Sequence, residues 1–213
     1  MIDLVDPSRL RRLLLIGAHS DDIEIGLGGT LLKLARVAPH VELTWCVFCG
    51  DERRQAEARE GARLFGDGFA KVNVVLHGLR DAYLPYLGTE TKDRFEGLKS
   101  ADPDVVFTHF RDDRHQDHRL LSELTWNTFR SHLIFEYEIH KFDGDLAHPN
   151  VFVTLDEATA NEKCRRLMQA FGSQRSKQWY DEETFRGLMR IRGVECASPT
   201  RYAEAFHARK LRW

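Results

Sequence analysis

Four short apolar runs, each leading toward a segment with helical spacing, constrain this chain more than any other feature. Residues 12–18 ("RLLLIGA"), 41–49 ("VELTWCVFC"), 71–76 ("KVNVVL") and 105–109 ("VVFTH") are almost continuously hydrophobic. That pattern belongs to parallel strands covered on both faces, not to strands with one wet face. After the first run, "EIGLGGTLLKLARV" at 24–37 reads as a helix, with Gly28 and Gly29 allowing close backbone packing near its start. After the second, the Ala and charged content of "DERRQAEAREGARLFG" and its terminal Gly66 indicate a helix with its C-cap. Residues 90–100 form the next helix, which stops before Asp102-Pro103 because the residue preceding proline is pushed out of helical geometry. "DHRLLSELTWNTFR" predicts a helix from 118 to 130.

Beyond residue 131 the pattern is less regular. "LIFEYEIHKF" and "NVFVTL" read as strands, and "DEATANEKCRRLMQAF" as a helix with Asp156 as its N-cap. Glu136 and Glu138 alternate along the first of these strands, and at least one is expected to be solvated. Trp126, Tyr137, Trp179 and Tyr180 are expected mostly in the core or an interface, since large aromatics are usually buried. The chain shows no internal repeat, low-complexity tract or linker, and 213 residues suit one domain over 1–213. The expected fold is α/β: a Rossmann-like, doubly wound, mostly parallel sheet with an embellished C-terminal third.

Composition narrows the function classes. With 42% hydrophobic and 30% charged residues and a formal net charge of −2, nothing attracts a polyanion over the whole surface, so nucleic acid is not an expected partner. No apolar run approaches the roughly 20 residues that span a bilayer, and "MIDLVDPSRLRRLLLIGAH" lacks a leader's cleavage region, so the expected location is cytoplasmic. Four cysteines do not make a disulfide framework. Cys46 and Cys49, three apart in a strand, are expected on opposite faces and therefore as buried residues, not a metal or redox pair.

Two clusters carry chemistry. His19-Ser20-Asp21-Asp22 follows the first strand, and "HFRDDRHQDH", from His109 to His118, follows the fourth. In a sheet of order 3-2-1-4 these strands are neighbours, and the crevice between their carboxyl ends is where ligands bind. Neutral imidazole and ionised carboxylate suit zinc, whose catalytic sites use three protein ligands and keep one position open. His19 and Asp22 supply the close pair, His118 the distant ligand, and Asp21 stays free as a base. Each cluster alone has a plainer reading: "DD" is a common helix-start pair, and "HQDH" suits a solvated N-cap.

The motifs are similar to those of a known family. "AHSDDIEIGLGGT" resembles the "AHPDDE" signature of the PIG-L/LmbE-like metal-dependent N-acetylglucosaminyl deacetylases, and "DRHQDH" resembles their second signature, which ends in "HPDH". The resemblance implies His19, Asp22 and His118 as metal ligands and Asp21 as general base. It implies His115 as the group that stabilises the oxyanion or protonates the leaving amine, and Asp117 as the acid that orients it or tunes its pKa. Arg54, in an Arg-x-x-Glu helix, and Asp81 fall where substrate-binding residues are expected. Zinc is the implied cofactor, although a His-Asp-His site with open positions also suits ferrous iron. The implied partner is a small acetamido sugar, with self-association into a homo-oligomer by analogy. Ser20 and Gln116 replace the signature prolines, and Ile23 separates Asp22 from Glu24, which puts the turn geometry in question rather than the chemistry.

Other readings remain at this level. The chain could act as a metallohydrolase on another small amide or as a non-catalytic nucleotide-binding module. Against the latter, "GLGG" lacks the spacing of a Gly-x-Gly-x-x-Gly loop and there is no Walker-type lysine.

Overall fold

The computed structural model describes residues 6–211. The first residues of the N-terminal segment read above, 1–5, lie outside that range. Among the described residues seven strands form one sheet: β1 (Arg12–Gly17), β2 (Glu42–Cys49), β3 (Lys71–Leu79), β4 (Val105–His109), β5 (Leu133–Tyr137), β6 (Val151–Leu155) and β7 (Tyr202–Ala208). Their order is β3-β2-β1-β4-β5-β7-β6. The first five are parallel, and β7 runs antiparallel to both β5 and β6. The doubly wound, mostly parallel expectation holds, and the embellishment of the C-terminal third is this antiparallel edge.

Six helices cover the sheet: α1 (Asp22–Val37), α2 (Glu52–Phe65), α3 (Gly88–Gly97), α4 (Gln116–Thr128), α5 (Glu157–Ala170) and α6 (Glu182–Glu195). Strand β1 shows why its sequence is continuously apolar. Leu13 and Leu15 enter one core, while Leu14 and Ile16 enter the core on the opposite face. The caps follow side-chain chemistry: Asp51, Asp156 and Asp181 accept the N–H groups of Arg54, Thr159 and Thr184 at the starts of α2, α5 and α6.

Helix α1 is broken at Leu27, whose φ of −142° leaves the helical region. The break frees backbone groups in the interior, and a buried ion pair satisfies them. Lys163 Nζ donates to the Ile25 carbonyl and to Glu204 Oε1, both at 2.6 Å. Glu204 in turn accepts from Gly29 and Thr30 N–H at 2.8 and 2.6 Å. Beside the break, a Cβ on Gly29 would lie 2.5 Å from Leu155, so glycine permits the close packing.

Several details depart from the sequence reading. Cys46 and Cys49 join the same core cluster, because the β2–β3 register slips between Val47 and Cys49 and turns Cys49 back. Both thiols are free, and burial pushes each pKa well up. The strand expected over 133–142 stops at Tyr137. Neither Glu136 nor Glu138 is solvated. Glu136 is bound by Arg209 and Trp126 Nε1, and Glu138 by Arg192. Helix α4 starts at Gln116, with His115 as its cap, rather than at 118. Tyr137 and Tyr180 are core residues, and Trp126 and Trp179 pack partly buried against the two cores.

Candidate metal centre

Parallel pairing of β1 with β4, with Leu15 beside Phe107, brings the carboxyl ends of the two strands together. His19, Asp21 and Asp22 leave one end, and His109 to His118 leave the other. The two clusters separated in sequence by about a hundred residues therefore share one crevice.

His19 Nδ1, Asp22 Oδ2 and His118 Nε2 form a triangle with edges of 3.1, 3.3 and 3.5 Å. Ligand atoms about 2.0–2.1 Å from a tetrahedral zinc stand about 3.3 Å apart, so this donor set fits such an ion. Hydrogen bonding prepares it. His118 Nδ1 lies 2.9 Å from Asp113 Oδ2, a carboxylate that can only accept. The ring proton therefore sits on Nδ1, and Nε2 presents its lone pair to the crevice. Burial, then neighbouring His109, pushes the His118 pKa down to about 4, which keeps the ring neutral as a ligand must be.

Charge in the site calls for a cation. Burial alone would hold His19 neutral, but Asp22, Asp117 and Asp81 outweigh it and raise its pKa well above the ordinary range. Burial would raise the Asp22 carboxyl, yet His118, His109 and His19 overcome it and hold the group well below its usual range.

The turn that aims these ligands lacks its proline but is held in another way. Asp22 Oδ2 accepts the His19 backbone N–H at 2.6 Å, tying the two residues to each other. Ser20 is buried within the turn.

Asp21 stands beside Asp22, 4% exposed, with Oδ1 only 2.5 Å from Arg54 Nη2. Oδ2 has no hydrogen-bond partner among the described residues. Burial raises the Asp21 pKa against the pull of Arg54. Arg54 also donates to Glu57 and Ser173 at 2.7 and 3.1 Å. Its guanidinium therefore bridges Asp21, Glu57 and Ser173.

His115 lies against both His19 and His118, its ring centroid 4.8 Å and 4.6 Å from theirs. Its Nδ1 accepts the Asp117 backbone N–H at 3.3 Å, so a neutral ring carries its proton on Nε2. Burial and nearby His19 lower its pKa, favouring that neutral form. The Asp117 carboxylate makes its hydrogen bonds elsewhere, to Ala82 and Leu84 N–H at 2.8 and 3.1 Å. Asp81, at the rim, lies 3.0 Å from His19 Nε2.

Sequence reasoning passed over His109. It is fully buried at the end of β4, stacks on His118 with centroids 3.9 Å apart, and places Nε2 3.3 Å from Asp22 Oδ2. Nε2 also accepts the Ala18 N–H at 2.9 Å. Among the described residues three groups have potential ligand atoms within 4.8 Å of one another: His19, His115 and His118; His19, Asp81, His115 and Asp117; and the wholly buried Asp22, His109 and His118. A histidine closing a buried strand at the crevice was the available signal.

A sequence model of the family described as GlcNAc-PI de-N-acetylase (PIG-L) matches residues 14–129, more than half of the chain. Among solved structures, the N,N'-diacetylchitobiose deacetylase of Pyrococcus horikoshii is 25% identical, with a TM-score of 0.71 over 97% of this chain and 87% of that one. The 4-carboxy-2-hydroxymuconate hydratase of Pseudomonas putida has a TM-score of 0.74 at 18% identity, covering 96% and 98%. A teicoplanin deacetylase in a zinc-inhibited form has a TM-score of 0.70 at 14% identity, covering 92% and 97%. The last two likenesses are of fold alone.

Proposed function

Since this chain belongs to the PIG-L family of deacetylases, we propose that it is a zinc-dependent hydrolase that removes the N-acetyl group from an N-acetylglucosamine-type sugar or glycoconjugate. The observation that carries this reading is the His19–Asp22–His118 triangle with Asp21 and His115 beside it. His19, Asp22 and His118 hold the ion; ferrous iron suits the same donors. Zinc bound there acts as a Lewis acid and brings water toward ionisation near neutral pH.

The chain's own groups perform the remaining work. Asp21 Oδ2 takes the proton from the water that attacks the acetyl carbonyl, while Arg54 fixes the carboxylate through Oδ1. His115 Nε2–H donates to the oxyanion as it develops, an effect worth about 3–4 kcal/mol for one well-placed donor in other hydrolases. The proton held by Asp21 then passes to the departing amine. Asp81 at the rim hydrogen-bonds sugar hydroxyls. Among the described residues no helix is long and apolar enough to cross a membrane.

Paired variants test the division of roles. Asp21→Asn is expected to keep its metal and lose nearly all turnover, whereas His118→Ala loses both. Equal metal loss in the two variants would contradict it.

A further inference from the structure

The loop between β5 and β6 carries an ammonium group inward to the back of the metal centre. The Lys141 side chain is only 10% exposed. Its Nζ lies 3.0 Å from Asp113 Oδ2 and 2.5 Å from Asp145 Oδ2, and both of those carboxylates are buried. Its remaining contact is the Ile139 carbonyl at 3.4 Å, so three acceptors of this chain take the three ammonium protons. The lysine is thus not turned toward a substrate. Two features hold the loop in this shape. Gly144, at a φ of +62°, turns the chain so that Asp145 comes back onto Lys141. Asp145 Oδ2 also accepts the Arg114 backbone N–H at 2.7 Å, which fastens the loop to the segment after β4.

Asp113 is where this group meets the site. Its Oδ2 accepts the His118 Nδ1–H at 2.9 Å and the Lys141 ammonium at 3.0 Å, so one oxygen serves both donors. Its Oδ1 accepts the His115 backbone N–H at 2.7 Å. The backbone therefore orients the carboxylate without help from the lysine, and what Lys141 adds is charge. A carboxylate behind a metal-ligating imidazole raises the basicity of that ligand. A cation on the same oxygen opposes the effect, and away from bulk water the opposition is strong.

Resting on the metal-dependent deacetylase reading above, we propose that Lys141 is a positioning residue that acts through Asp113 to draw the carboxylate partly away from His118. His118 then stays a moderate donor, and the metal it holds stays electrophilic. The lysine gives up metal affinity in return for polarising power, so its loss should move affinity and turnover in opposite directions.

The test uses the full chain and three readouts: zinc affinity by chelator competition, the proton resonance of His118 Nδ1–H, and kcat and KM for amine release from N-acetylglucosamine conjugates after zinc loading. Lys141→Met is expected to bind zinc about tenfold more tightly, the lower end of what groups behind metal ligands control. Its His118 Nδ1–H resonance should move downfield, as the bond to Asp113 strengthens, and its kcat should fall with KM little changed. Lys141→Arg restores the cation and should bring all three readouts back toward wild type. Asp145→Asn leaves the whole ammonium to Asp113 and should shift affinity and resonance the other way. The double variant Lys141→Met/Asp145→Asn removes the cation and one acid together, so the loop carries no unpaired carboxylate; it should match Lys141→Met. Zinc binding that weakens or stays unchanged in both Lys141→Met and the double variant would reduce Lys141 to a structural ion pair and overturn the proposal. Tighter binding with unchanged kcat would overturn it as well. Affinity and resonance that shift as expected, with no amine released by wild type from any conjugate, would instead overturn the deacetylase reading and leave the control of His118 by Lys141 standing.

Discussion

Arg54 Nη2 lies 2.5 Å from Asp21 Oδ1, and both side chains are largely removed from solvent. The arginine that sequence likeness places at the substrate is the counter-ion of the proposed base. Removing one member of such a pair leaves an uncompensated buried charge, at a cost of about 3–5 kcal/mol. Arg54→Ala is therefore expected to lower both turnover and stability, while a direct substrate contact would raise KM and leave the melting temperature alone. Thermal unfolding alongside steady-state kinetics separates the two.

His109 stacks on His118 and steadies the turn that carries His19 and Asp22, its Nε2 accepting the Ala18 N–H at 2.9 Å. His109→Phe keeps a ring against His118 but removes the acceptor of the Ala18 N–H. Zinc affinity, measured by chelator competition, should fall about tenfold or more, in the range typical of lost supporting groups around metal ligands. An unchanged affinity would reduce His109 to packing.

The break in α1 depends on Lys163 and Glu204. Glu204→Ala strands a buried ammonium and two backbone N–H groups, so it should cost about 3 kcal/mol or more in urea denaturation. A loss below about 1 kcal/mol would show that water replaces the carboxylate.

Acid sensitivity has an origin away from the metal. Burial pushes His140 and His207 down to about 4, from an ordinary value near 6.5. Between those values the unfolded chain takes up protons that the native rings refuse. Their stabilising effect is thus complete above about pH 6.5 and is lost progressively as pH falls toward 4. His140→Phe, in a site lined by Phe185 and Trp179, should flatten the dependence of unfolding free energy on pH between 5 and 7. An unchanged slope would remove His140 as a source.

The parallel core and the meeting of two distant clusters were legible because continuous apolar runs demand two covered faces, and because neighbouring strands share a crevice. What the sequence hid depends on long-range partners. Arg209 reaches Glu136 across 73 positions and Arg192 reaches Glu138 across 54, so both carboxylates are interior where at least one read as solvated. The face of Cys49 depends on a one-residue slip against β3 that no local pattern records. Gln116 read as the loss of a proline, since its acceptor, Ala82, lies on a loop 34 residues away.

The most direct test is amine release from a panel of N-acetylglucosamine conjugates by protein stripped with chelator and then reloaded with zinc or ferrous iron. The account predicts that about one equivalent of metal binds and restores release from at least one conjugate, and that His118→Ala neither binds the metal nor recovers. Amine release that persists after complete removal of metal, or protein that binds none, would contradict it.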